Sequence, residues 1–356
     1  MAESVDDKFM RRCLDLAIKS EGMTFPNPMV GAVLVYDNNI IGEGYHLKAG
    51  GPHAEVIAIN LASEKSLLGK STLYVSLEPC SHFGKTPPCT DLIIESGIPS
   101  VVIGTTDTSS DVSGKGISKL IEAGKNVLVG TMEEECRWMN RRFFTFHEKH
   151  RPYIILKWAQ SADGFIDIER PVTSTAEPYW ITGITERILV HKWRSLEQAI
   201  LVGGTTIRKD RPKLNVRYWS GQDPIKIILS SSGDIEDYLH SDSSGNRILV
   251  FTDKNTADFE RAEKIILEKE TPAAFQIVEY LYNNGIQSLF IEGGTKVFNH
   301  FISLGLWDEA RIFTGIMNFR KGIKAPVIEG KLYSKSDFAA SSLKVLVNES
   351  KYESGC

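Results

Sequence analysis

The chain alternates, twice over, between short runs of β-branched and aromatic residues and longer stretches whose apolar residues recur at helical spacing. A helical bundle lacks the first kind of segment and a β-sandwich lacks the second, so the alternation demands layered α/β units. In the first half, Phe9 to Lys19 has a helical period and a breaker-rich loop follows it. Val30 to Tyr36 and Ile40 to Glu43 flank the turn composition Asp37-Asn38-Asn39 and predict a hairpin. Beyond it come a helix from His53 to Ala62, a strand at 72–77, a helix from Thr90, a strand at 101–104, a helix at 117–122 and a strand at 127–129. The polar stretch His147 to Pro152 interrupts the pattern and places a boundary near residue 150, dividing the chain into domains 1–149 and 150–356. After it the spacing predicts strands at 153–158, 199–203, 225–230, 247–252, 288–292, 310–314 and 343–347. Helices are predicted at 185–193, 257–269, 276–283 and 296–304.

Of the 356 residues 42% are hydrophobic and 24% charged, and 41 Lys and Arg against 45 Asp and Glu leave a net charge of −4. That balance gives no global attraction to nucleic acid or to an anionic membrane, so neither is expected as a partner. No apolar run approaches the roughly 20 residues of a membrane span, and the N-terminal segment lacks the order of a signal peptide, so a cytoplasmic location is expected. The five cysteines are thinly spread, unlike a disulfide scaffold. Cys13 and Cys136 sit among apolar residues at helical spacing and are expected to be buried, while Cys356 belongs to the tail.

Cys80 and Cys89 behave differently. Pro52-His53-Ala54-Glu55 opens one helix, Glu78-Pro79-Cys80 follows a strand, and Pro87-Pro88-Cys89 opens another helix. One imidazole and two thiolates suit Zn²⁺, and three protein ligands leave a fourth tetrahedral position open, as in a catalytic centre. Glu55, two residues beyond His53, is placed to carry a proton rather than to coordinate. H-x-E followed by P-C-x-x-C is a known signature of zinc nucleobase deaminases, but here eight residues, Ser81 to Pro88, separate the cysteines. Both thiolates reach one metal only if this insertion loops out, carrying His82 and Lys85 towards a substrate. A closed structural site with His46 or His82 as fourth ligand is the alternative that spacing leaves open.

Together with Asn27-Pro28-Met29-Val30-Gly31 and Gly44-Tyr45-His46, these segments closely resemble the bifunctional pyrimidine deaminase/reductase family of riboflavin biosynthesis, and the resemblance spans nearly the whole chain. It implies a cytidine-deaminase-like three-layer α/β/α domain in which His53, Cys80 and Cys89 hold zinc and Glu55 shuttles the proton. It further implies substrate contacts from Asn27, His46, His82 and Lys85. Hydrolysis would remove the amino group of a 2,5-diamino-6-(5-phosphoribosylamino)pyrimidinone.

In the second half, Val202-Gly203-Gly204-Thr205-Thr206 and Ile291-Glu292-Gly293-Gly294-Thr295 each read as a strand, a glycine pair and a helix start, an arrangement that lets backbone amides approach phosphate. Neither is a G-x-G-x-x-G fingerprint. Two of them in one domain, with Arg194, Arg208, Arg211 and Arg217 between, point to a phosphorylated ligand. Tyr153 to Gly164, Trp180-Ile181-Thr182-Gly183, Thr206 to Arg217 and Glu292-Gly293-Gly294 resemble the reductase domain of the same family, with a dihydrofolate-reductase-like α/β fold. The resemblance implies NADPH contacts from Gln160, Trp180, Thr206, Asp210, Ser231 and Gly294. Substrate contacts would come from Lys157, Arg194, Leu214, Arg217 and Glu292, with Lys157 assisting hydride transfer to C1′ as a charge or proton donor. Arg211 and Pro178 depart from the residues the family commonly has at those places. A homo-oligomer acting on small phosphorylated pyrimidines is expected. Two other readings compete: a nucleoside or RNA deaminase with a ligand-sensing domain, and a structural zinc site beside a nucleotide-binding regulator.

Overall fold

The computed structural model describes residues 4–83, 87–108, 113–168, 179–232, 234–254 and 258–348. The chain divides into two compact units, Met1–His150 and Arg151–Cys356.

The first unit begins with helix α1 (Val5–Ala17), started by a reciprocal cap: the Ser4 hydroxyl accepts from the Asp7 N–H and the Asp7 carboxylate accepts from the Ser4 N–H. Strands β1 (Gly31–Tyr36) and β2 (Asn39–Tyr45) form the expected hairpin. Its turn residues Asp37 and Asn38 have φ of 47° and 59°, the left-handed conformation that a two-residue turn needs to match strand twist and that Asp and Asn tolerate. There follow α2 (Ala54–Asn60), β3 (Thr72–Val75), α3 (Cys89–Glu95), β4 (Ser100–Ile103), α4 (Lys115–Glu122), β5 (Asn126–Val129), α5 (Glu133–Met139) and α6 (Arg141–Lys149). The sheet runs β2-β1-β3-β4-β5, with β1 antiparallel to both neighbours and β3, β4 and β5 parallel.

Alternation along β1 builds three layers. Val33 and Val35 meet Phe9, Met10, Cys13 and Leu16 of α1 together with Cys136 of α5, whereas Ala32 and Leu34 meet Ala54, Ala58, Ile93 and Leu120 on the other face. Cys13 and Cys136 are thus buried, as their spacing predicts. Helix α2 lies directly on β2 because Gly42 has no side chain: a Cβ there would stand 2.3 Å from the Ala58 carbonyl oxygen.

The second unit contains β6 (Tyr153–Gln160), β7 (Phe165–Asp167), α7 (Ile184–Ser195), β8 (Ala199–Gly203), α8 (Gly204–Asp210), β9 (Ile225–Leu229), α9 (Glu236–Ser241), β10 (Ile248–Thr252) and β11 (Glu263–Ile266). It continues with α10 (Ala273–Asn283), β12 (Ser288–Gly293), α11 (Thr295–Ser303), β13 (Glu309–Gly315), β14 (Ile323–Lys324), β15 (Lys331–Asp337) and β16 (Ser341–Val347). Nine strands form one sheet in the order β11-β10-β9-β8-β12-β6-β13-β16-β15, and β14 pairs with β7. From β11 to β13 all neighbours are parallel; β16 and β15 close the sheet antiparallel.

Ile155, Ile200, Val202 and Ile228 pack against Ile207 of α8 and Tyr238 and Leu239 of α9. Their neighbours Ile154, Leu156, Leu201 and Ile291 face Ile277 and Leu281 of α10 and Phe298 and Phe301 of α11 on the opposite side. The helices that leave β8 and β12 therefore depart to opposite faces although these strands are adjacent. Divergence of this kind marks, at the carboxyl ends of the strands, the usual ligand position in an open parallel sheet.

The helix predicted at 257–269 is not formed: residues 263–266 are β11, paired with Leu249 to Thr252 of β10. Phe259, Ala262 and Ile265 recur at helical spacing, yet the first two join the α8–α9 side of the core and Ile265 the other. Pairing with the edge of β10 outweighed local periodicity. Strand β15 carries no apolar alternation, since all seven residues are exposed, and only its partner β16 specifies it.

Candidate active sites

His53 caps α2 in an extended conformation, with φ −73° and ψ 160°; Cys80 follows β3 and Cys89 is the first residue of α3. These chain ends converge. His53 Nδ1 lies 3.2 Å from Cys89 Sγ and 3.5 Å from Cys80 Sγ, and the three donor atoms lie within 4.8 Å of one another. The Cys89 N–H donates to Cys80 Sγ at 3.4 Å, so Cys80 sits against the start of α3, where backbone donors and the helix dipole favour a thiolate. Hydrogen bonding to Cys89 draws Cys80 towards its thiolate despite burial, and the same bond together with burial pushes Cys89 up. Two sulfurs and one imidazole nitrogen turned on one point are a fitting donor set for zinc.

Glu55 lies in the first turn of α2 and is only 3% exposed. Burial pushes its carboxyl above the ordinary range, against the charge of His53, which suits it to hold and release a proton. His46 has both ring nitrogens occupied: Nδ1 is 3.0 Å from the Pro52 carbonyl oxygen and Nε2 is 3.1 Å from Asn27 Nδ2. A carbonyl only accepts, so Nδ1 carries the proton and Nε2 accepts from the Asn27 amide, leaving Asn27 Oδ1 as the acceptor end. His46 therefore supplies no fourth ligand. His82 is exposed and outside the donor group, and Lys85 lies outside the described residues.

One of the residues that hold this arrangement carries no motif. Asn140 binds both polar groups of Met29: its Oδ1 accepts from the Met29 N–H and its Nδ2 donates to the Met29 carbonyl, each at 2.8 Å. It thereby fixes the segment bearing Asn27. Glu78, beside Pro79 and Cys80, is buried.

In the second unit, Lys157 of β6, Glu292 of β12 and Arg194 of α7 form one charged group. Arg194 clasps Glu292 through Nε at 2.6 Å and a terminal nitrogen at 2.7 Å, and donates to the Asn215 carbonyl at 3.1 Å. Burial alone would raise the Glu292 carboxyl, but the charge and hydrogen bonds of Arg194, with the charge of Lys157, hold it at about 2. Burial lowers Lys157, opposed by Glu292 and aided by Arg194. His191, which the sequence did not single out, is held down at about 4 by burial and by Arg194 and Arg217. Its Nδ1 accepts from the Arg217 N–H at 3.1 Å. Arg217 is exposed, and the buried Leu214 has a φ of 51°. Of the two arginines, Arg217 is the more open to an anion, since Arg194 is largely spent on Glu292.

The glycine pairs meet at the carboxyl ends of β8 and β12. A Cβ on Gly293 would stand 3.0 Å from Val202 and 3.2 Å from Thr206 Oγ1, and one on Gly204 would stand 2.6 Å from Ser230 Oγ. Gly294 has φ 82°, and Arg208 donates to Ser232 at 2.9 Å. This cradle of backbone and hydroxyls at two helix starts fits the phosphates of a dinucleotide. Ser231 is exposed just beyond β9, Gln160 accepts from the Trp158 indole at 2.9 Å, and the Trp180 ring lies 4.5 Å beneath Arg187. Asp210 ends α8, away from the glycine turns. Arg211 caps that helix with φ 40° and faces Asp237 at 3.9 Å; Pro178 lies outside the described residues.

Residues 3–105 match the cytidine and deoxycytidylate deaminase zinc-binding region, and residues 152–316 match the RibD C-terminal domain. The riboflavin biosynthesis protein RibD of Aquifex aeolicus is 40% identical over 97% of this chain and 93% of that protein. The Escherichia coli protein of the same name is 34% identical over 86% of this chain and 87% of its own. The crystal structure of a diaminohydroxyphosphoribosylaminopyrimidine deaminase/5-amino-6-(5-phosphoribosylamino)uracil reductase from Thermotoga maritima superposes with a TM-score of 0.85 at 37% identity, covering 97% of this chain and 99% of that one. On these grounds the chain belongs to the RibD family of riboflavin biosynthesis proteins.

Proposed function

We propose that residues 1–149 remove the ring amino group of 2,5-diamino-6-(5-phosphoribosylamino)pyrimidin-4(3H)-one by hydrolysis, and that residues 150–356 then reduce the ribosyl group of the product to ribityl. The observation that carries this reading is the convergence of His53, Cys80 and Cys89 beside the buried Glu55. His53, Cys80 and Cys89 would hold zinc, and the turns at Gly204 and Gly294 with Thr206 would hold NADPH. When bound, zinc supplies the Lewis acidity that makes water nucleophilic near neutral pH, and NADPH supplies the hydride.

Glu55 takes a proton from the attacking water and delivers it to the departing amine. Asn27, oriented by His46, offers Oδ1 to a ring N–H of the pyrimidine, and His82 and Lys85 reach the substrate from the segment between the cysteines. In the second unit Arg217 meets the ribose phosphate, while Glu292 and Arg194 hold Lys157 beside C1′, where it donates a proton to the ring oxygen as the sugar opens. Gln160, Trp180, Asp210 and Ser231 complete the cofactor contacts and Leu214 a substrate contact. The enzyme works in the cytoplasm as a homo-oligomer. No helix among the described residues is long and apolar enough to cross a membrane.

The test is a two-channel assay of ammonia release and NADPH oxidation. Glu55→Gln should lower ammonia release by about 10²–10⁴-fold and leave NADPH oxidation at the wild-type rate once deaminated intermediate is supplied. Ammonia without NADPH consumption, even with added intermediate, would remove the reductase assignment.

A further inference from the structure

Glu78 stands two residues before Cys80 and is 4% exposed, yet the deamination scheme gives it no task. Its carboxylate accepts four backbone N–H bonds. Oε2 accepts from Asp107 at 3.2 Å and Gly114 at 3.0 Å; Oε1 accepts from Gly116 at 2.9 Å and Ile117 at 3.3 Å. Gly114 is the N-cap of α4, with φ 73°, so no side chain of its own caps that helix. Glu78 does so from another strand end, bringing a full negative charge to the positive end of α4. The same bonds tie the segment after β4, at Asp107, to the beginning of α4. The contact is close on the backbone side as well: a Cβ on Gly116 would stand 2.1 Å from the Pro79 carbonyl oxygen.

We infer that Glu78 is a positioning residue for the metal centre: by anchoring Glu78-Pro79-Cys80 to the N-terminus of α4, it fixes where Cys80 Sγ meets His53 and Cys89. The inference rests on the zinc reading of that site. Four donors leave a carboxylate no adequate substitute. Glutamine keeps the size but turns an NH₂ group on two N–H donors, and the Pro79–Cys80 turn loses its anchor.

The experiment measures zinc affinity of the full chain by competition with a chromophoric chelator, well below the unfolding temperature. Glu78→Gln should weaken zinc by about 10–100-fold, the usual effect of losing an outer support of a ligand. NADPH oxidation with supplied intermediate, read on the same sample, should stay at the wild-type rate. Ile121→Gly, which weakens α4 from its exposed side, should lower the unfolding temperature without moving zinc affinity. If Glu78→Gln fails to fold, Gly116→Ala decides, since it pushes α4 off Pro79 while keeping the carboxylate, and it should weaken zinc in the same direction. Zinc affinity within twofold of wild type in a folded Glu78→Gln or Gly116→Ala protein overturns the inference. So does an equal loss in Ile121→Gly, which would make the effect one of helix stability alone. A wild-type chain that binds no zinc would overturn the reading of the site itself.

Discussion

The two units build their sites by opposite means. In the first, the donors come from residues 53 to 89, at two helix starts and a strand end, and are of kinds whose convergence has few other uses. In the second, the central charges come from positions 157, 194 and 292, residue types that are ordinarily solvated surface. They become a site because β6 and β12 lie side by side and α7 crosses to the next strand. The first site is thus specified by chemical identity, the second by topology. Damage to the first should be local and chemical, whereas damage to the second should also be felt as stability.

The strongest break of that contrast uses Cys89→Ala. It removes one of the three proposed ligands, and bound zinc measured by elemental analysis should fall to background with deamination, while NADPH oxidation with supplied intermediate persists. Loss of both activities together would show that the two sites are not separable. Next in size is Glu292→Ala, which leaves the buried Arg194 and the half-buried Lys157 without their counter-charge. Calorimetry should show the second unit destabilised by about 3–5 kcal/mol, with zinc content unchanged; a loss under 1 kcal/mol would mean that the charges escape to water.

The same carboxylate sets a pH dependence. Its folded value of about 2 lies below the ordinary 4.5, so the unfolded chain binds the proton first as pH falls. The stabilisation is therefore complete above pH 4.5 and is lost as pH drops towards 2. Glu292→Gln, less stable than wild type above that range and converging on it as pH nears 2, should flatten that part of the acid-unfolding profile of the second unit. A profile identical in slope to wild type would assign the acid sensitivity to other carboxylates.

What could be read in the sequence follows the same division. His53, Glu55, Cys80 and Cys89 were legible because an imidazole and two thiols beside prolines at element ends constitute a chemical statement before any fold is known. Most strands were legible too, being apolar runs bounded by turn residues. β11 was not, because Phe259, Ala262 and Ile265 keep a helical spacing that only the edge of β10 overrides. The bidentate Arg194–Glu292 pair was hidden as well: each residue was assigned to substrate, but a separation of 98 positions conceals that they bind one another. His191 left no trace and Glu78 showed only as the start of Glu78-Pro79-Cys80, since a histidine serving a backbone amide and a glutamate capping a distant helix look like ordinary residues until the chain closes.

The smallest expected effect tests whether the first site is as local as its motifs suggest. Asn140 is 111 positions from Met29, yet pairs with both its N–H and its carbonyl, as a strand neighbour would. Asn140→Ala would leave two buried backbone groups unpaired, a loss of about 1–3 kcal/mol. Because Met29 lies two residues beyond Asn27, the KM for the diaminopyrimidine should rise, while zinc affinity, which depends on other segments, stays put. Asn140→Asp separates packing from pairing: it keeps the acceptor for the Met29 N–H but sets a carboxylate oxygen against the carbonyl, so its KM should rise at least as far as that of the alanine variant. An unchanged KM in both would confine recognition to the motif residues, and the first site would be local in recognition as well as in metal binding.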